Sequence, residues 1–134
     1  MKAKILILTV FLIWTCHQQS NPSPAISILK TTLENSKVVN FLHPEVDGRD
    51  TLYMIENDHF KLETEISIRN IETFTVVKKE TVKGKNVLHL KKLEVQNNKA
   101  SLNFYYEIEN IDVTARLIKK EDQWIIEKIE IIEF

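Results

Sequence analysis

Three hydrophobic rhythms follow one another along this chain. Ile5 to Trp14 (ILILTVFLIW) is a run of apolar side chains broken only by Thr9. From Ile26 to Leu42 the apolar positions take helical spacing, with Ile26, Leu29 and Leu33 at i, i+3 and i+7. From Thr51 onward the period is two, the spacing of a strand with one face covered.

The helical stretch carries its own punctuation. Ser23 is placed to cap it, and Pro24 suits a first helical position, where a missing N–H costs nothing. Asn35-Ser36 predicts a break, with helix resuming through Val38, Val39, Phe41 and Leu42. His43-Pro44 ends it, because a residue before proline is pushed out of the helical region. Residues 44–50 (PEVDGRD) then read as a loop.

Strands are predicted near 51–56, 62–68, 72–82, 86–95, 100–109, 112–120 and 123–133. Residues 100–109 give the cleanest alternation, with Ala100, Leu102, Phe104, Tyr106 and Ile108 on one face. Short turns at Lys83-Gly84-Lys85, Gln96-Asn97-Asn98, Glu109-Asn110 and Lys120-Glu121-Asp122 predict a meander of antiparallel neighbours. Two strands break register: Leu88 and Leu90 oppose Leu93 and Val95, and Trp124 and Ile126 oppose Ile129 and Ile131. A bulge in each strand reconciles the two halves and bends the sheet. The expected fold class is α+β, an N-terminal helical segment packed on a curled antiparallel β-meander.

The first rhythm has another meaning. Its apolar run is too short for a hydrocarbon core, which takes about 20 residues to cross. With Lys2 and Lys4 ahead of it, it reads as a secretory signal. Cys16, the single cysteine of the chain, follows directly. A signal ending in a lone cysteine resembles the lipobox of bacterial lipoproteins. Ile13, Trp14 and Thr15 before it match the loosened form familiar among Bacteroidetes-type members. The resemblance implies cleavage before Cys16, acylation of that residue and a cell-envelope protein anchored in a membrane and facing the periplasm. Residues 1–15 are then signal peptide, 16–24 the lipidated cysteine and a polar tether, and 25–134 a single α+β domain.

Charge narrows the partners. The chain has 18 basic and 19 acidic residues, and loss of Lys2 and Lys4 leaves 16 against 19. That balance argues against nucleic acid, whose binders carry a strongly basic domain. One cysteine also means no internal disulfide.

Residues 99–126 (KASLNFYYEIENIDVTARLIKKEDQWII) resemble the closing strands of the cystatin and nuclear-transport-factor-2-like (NTF2-like) rolls. The resemblance implies a concave mouth, for which Phe104, Tyr106 and Trp124 are the candidate ligand-pocket residues. It also implies an enzymatic alternative of isomerase or hydratase type, with Tyr106 and Asp112 in the polar roles, and an inhibitor- or immunity-type alternative with an exposed strand edge.

Other chemistry is sparse. His43, Glu45, Asp47 and Asp50 bring an imidazole and three carboxylates into one loop, but the spacing is not that of an EF-hand and Arg49 competes for the oxygens. A solvated turn is the simpler reading. Lys78, Lys79, Lys83, Lys85, Lys91 and Lys92 suggest a basic hairpin, either a headgroup contact or a strand edge protected by charge. No catalytic residue, cofactor or metal ligand is assigned. The expected role is non-catalytic: a binding or scaffold module for an envelope protein or a small apolar ligand, held at the membrane by its lipid anchor.

Overall fold

A computed structural model describes residues 22–83 and 86–134, so Cys16, the expected signal segment and most of the expected tether lie outside the described residues. The helical punctuation operates as expected. Helix α1 spans Pro24–Leu33, and the Ser23 hydroxyl accepts from the Ile26 N–H at 3.3 Å. It buries Ile28, Leu29, Thr32 and Leu33. The Thr32 hydroxyl, buried among them, donates to the Ile28 carbonyl at 2.9 Å and so carries no unmet polar group inward. Helix α2 spans Ser36–Leu42, with Asn35 accepting from the Lys37 N–H at 3.0 Å. His43 ends it in the left-handed region at φ 49°, just ahead of Pro44.

Six strands form one mixed sheet: β1 (Thr51–Ile55), β2 (Thr73–Val77), β3 (Val87–Gln96), β4 (Lys99–Tyr106), β5 (Ile111–Lys120) and β6 (Gln123–Glu133). Their order across the sheet is β2-β1-β3-β4-β5-β6. Strands β3 to β6 are the expected antiparallel meander, joined by short turns. Both bulges fall where the register breaks: Lys91 is skipped between the Leu90 and Lys92 pairings, and Glu127 between those of Ile126 and Lys128.

The other half departs from the expectation. Strand β1 pairs parallel with both β2 and β3, so the sheet is mixed, not a simple meander. Parallel neighbours need a long crossover, and residues 56–72 supply it as irregular chain instead of the strand expected at 62–68. Ile66 and Ile68 mimic strand alternation there, yet their side chains, with Phe60 and Ile71, pack into the core from a segment holding only one isolated bridge, Ile68 to Ile71. The strand expected at 72–82 stops at Val77, and a 3₁₀ turn follows at Lys79–Thr81. Ile108 is likewise not a core residue: β4 ends at Tyr106, and Ile108 lies in the following turn, 48% exposed.

One core joins both halves. The inner face of β4 (Ala100, Leu102, Phe104, Tyr106) and that of β5 (Ile111, Val113, Ala115, Leu117) are buried, and α1 packs across β4 and β6. Leu52, Met54 and Leu88 extend this core under β1 and β3.

Candidate functional site

The chain enters the described domain at Pro22, and α1 begins two residues later beside the β5–β6 turn. Trp124 stands between them, its ring partly buried against the core. Two adjoining hollows of about 370 and 470 Å³ meet at this ring, both lined by Pro22, Ser27, Asp122 and Trp124. Pro24 and Lys119 complete one; Lys30, Thr31, Glu34 and Gln123 complete the other.

The local sequence explains why Trp124 is presented there. Lys120 pairs with Gln123, and the two residues between them, Glu121 and Asp122, have φ of 47° and 62°. Two consecutive positive φ values mark the tight hairpin turn whose twist matches that of the flanking strands. Such turns ordinarily use Asn-Gly, and side chains held in the left-handed region cost about 1–3 kcal/mol each. The turn places Trp124 on the inner face and Asp122 at the groove rim.

That rim is a network of paired charges. Lys30 Nζ donates to the Ser67 carbonyl at 2.6 Å and pairs with Glu34 at 2.9 Å. Glu34 also accepts from the Arg69 N–H at 2.8 Å. Burial pushes the Glu34 carboxyl up, but the Arg69 N–H and the Lys30 ammonium together outweigh it and hold the group below the usual glutamate range. Lys119 faces Asp122 at 3.4 Å across the other side. An aromatic face inside a ring of hydroxyls and ion pairs suits a ligand with a flat or apolar body and a polar edge.

The three candidate pocket residues do not share one cavity. Phe104 and Tyr106 are fully buried and pack the interior, while Trp124 lies at the sheet end beside α1. The Tyr106 hydroxyl donates to the Leu42 carbonyl at 3.4 Å. Burial, only partly opposed by the Arg49 charge, pushes it up to about 12. Asp112 is on the opposite side of the sheet: it pairs in register with Tyr105, while Tyr106 pairs with Ile111. The two side chains cast in the enzymatic alternative therefore do not converge.

His43 Nδ1 lies 3.1 Å from Glu45 Oε1 at the start of the exposed 44–50 loop. Among the described residues, no three His, Cys, Asp or Glu side chains are grouped to hold a metal ion. Lys85 lies outside the described residues, and the described lysines form no basic hairpin, because β1 separates β2 from β3. Lys91 pairs with Asp112, and Lys92 with Glu94 at 3.0 Å.

One cluster escaped the sequence reading. On the outer sheet face, His89 Nε2 lies 2.8 Å from Glu107 Oε2, and its ring centroid is 5.9 Å from that of Tyr105. Lys91 Nζ sits 5.4 Å from the Tyr105 ring centroid while pairing with Asp112. Asn103 donates to Asp112 and, at 2.9 Å, to Thr114. Alternation puts Asn103 and Tyr105 on one outward face and His89 and Lys91 on another, but only the pairing of β3 with β4 and of β4 with β5 brings these side chains and Asp112 together. Compared with protein-family models, curated proteins and solved structures, the chain matches none of them.

Proposed function

We propose that this chain is a lipid-anchored cell-envelope protein, held through Cys16 at a membrane and facing the periplasm, whose domain is a non-catalytic binding module. The observation that carries the reading is the Trp124 groove at the very point where the N-terminal tether enters the domain. Five residues lie between Cys16 and Pro22, a reach of roughly 20 Å when extended. The groove thus opens close to the surface that the anchor would hold. Its occupant is an envelope protein or a small apolar ligand.

The packed interior supports a surface site over a deep catalytic pocket, since Phe104 and Tyr106 fill the space beneath the sheet. Helix α1 laid on a twice-bulged antiparallel meander also favours a roll of cystatin or NTF2-like type. The parallel β1–β2 pair is the feature such a roll has to accommodate.

Intact mass of the protein from native membranes, beside a Cys16→Ser version, tests the anchor. A mature chain starting at Cys16 with diacylglycerol and acyl mass, absent from the variant, is expected. An unlipidated soluble chain would remove the anchor from the proposal. The groove has its own readout: Trp14 and Trp124 are the two tryptophans of the chain. Loss of residues 1–15 leaves Trp124 as the sole indole, and its emission should respond to an apolar ligand.

A further inference from the structure

Strand β6 is outermost in the sheet and eleven residues long, and among the described residues β5 is the strand it pairs with. The opposite edge, β2, is a short five-residue strand. Natural sheets blunt their edges by keeping them short or charged, because a long edge is a template for another strand. Strand β6 carries isoleucines on both faces. Its inner residues Ile126, Ile129 and Ile131 are only partly buried, although the β5 residues opposite them, Leu117, Ala115 and Val113, are wholly buried. On the outer face, Ile125 is 45% exposed and Ile132 57%. Burial stops one strand too early.

The charges at the middle of β6 say what completes it. Lys128 and Glu130 point outward, 2.5 Å apart and half exposed. If two β6 strands run antiparallel about a two-fold axis through Ile129, Lys128 of each copy stands opposite Glu130 of the other. Ile129 meets its own counterpart on the inner face. With Glu127 looped out, as it is against β5, Ile126 meets Ile131 on the inner face and Ile125 meets Ile132 on the outer. Centring the axis one residue earlier sets Lys128 against Lys128; one residue later sets Glu130 against Glu130. Directly opposed like charges are unfavourable, so the sequence of this edge favours one self-pairing register.

We propose that β6 is a homodimer interface, joining two sheets edge to edge about Ile129. The proposal does not depend on the lipid anchor, and it is tested on the full chain in mild detergent with Cys16→Ser, which removes the native thiol. Cα atoms of directly opposed antiparallel residues lie about 4.5–5.5 Å apart, within disulfide reach. Ile129→Cys should therefore give a disulfide-linked dimer on mild oxidation. Ile131→Cys should not, because the two sulfur-bearing positions would lie roughly 13 Å apart along the strands. Should Ile129→Cys fail to fold, mixing the Ile125→Cys chain with the Ile132→Cys chain reads the same register through two exposed positions. Lys128→Glu should reduce the dimer to monomer by light scattering, and adding Glu130→Lys should restore it. Equal cross-linking at 129 and 131, a monomer at every concentration, or failure of the charge swap to restore the dimer would each overturn the proposal. So would a partner strand from another protein occupying the edge when β6 is pulled from native membranes.

Discussion

The sheet is assembled from two unlike halves, one on each side of β3. From β3 to β6 every strand neighbours its successor in sequence, across turns of a few residues. On the other side β1 and β2 are five residues each, run parallel to one another, and depend on the irregular crossover 56–72. The first half gains its ladder from local pairing; the second has to close a long loop before any pairing is gained. What unites them is side-chain burial, since Phe60, Ile66 and Ile71 from the crossover enter the core that Phe104 and Tyr106 fill. The meander is therefore expected to be the more persistent unit, and the parallel pair the one that opens first.

The sharpest way to test that contrast is to hollow each half in turn. Phe104 and Met54 are both wholly buried. Phe104→Ala should cost about 3–5 kcal/mol and Met54→Ala about 2–5 kcal/mol, read from urea midpoints. The pattern of hydrogen exchange should differ more than the totals. Met54→Ala should free the amides of β1 and β2 while those of β4 and β5 stay protected, whereas Phe104→Ala should lower protection throughout. Identical loss across both halves in Met54→Ala would show a single cooperative unit.

A smaller effect is expected where the halves are pinned together. Arg49, in the loop before β1, pairs with Glu109 in the turn after β4. Both side chains are mostly covered, so the pair stands between the exposed and buried cases. Arg49→Met should destabilise by about 1–2 kcal/mol. If the pair is the joint, exchange should rise first in β1 and β2. Next in size is the cap of α2: Asn35→Ala should cost about 1 kcal/mol, visible as a lower melting temperature with the sheet intact.

The same division decides what could be read from the sequence. Caps and breaks are local, so Ser23, Asn35 and His43 announced both helices, and the strand alternation of Ala100 to Tyr106 announced β4. Even the bulges were legible, because Leu93 and Ile129 change face relative to Leu90 and Ile126. Parallel pairing leaves no comparable mark. Ile66 and Ile68 alternate as a strand would, yet what they satisfy is a core contact from irregular chain, so alternation alone does not distinguish burial from a ladder. The site follows the same rule. Trp124 stood out as a residue, but its groove needs Ser27, Lys30 and Glu34 brought across from α1, a packing that no local pattern encodes.

Glu34 offers the finest probe, because it joins α1 to the crossover at Arg69 while lining the Trp124 groove. Its carboxyl titrates below the ordinary glutamate value of 4.5: burial raises it, but the Arg69 N–H and Lys30 lower it further than burial lifts it. A carboxyl whose folded pKa lies below its unfolded one stabilises the fold above the unfolded value. That contribution is lost as pH falls through the folded pKa. The wild-type protein should therefore lose stability on acidification below about pH 4.5 more steeply than Glu34→Gln, and the two curves should approach one another at the acid end. Amides around Arg69 should lose protection over the same interval, ahead of those in β4 and β5. Parallel stability curves through the whole acid range would mean that the crossover is held by its buried isoleucines alone, and the charged rim would then belong to the groove and not to the fold.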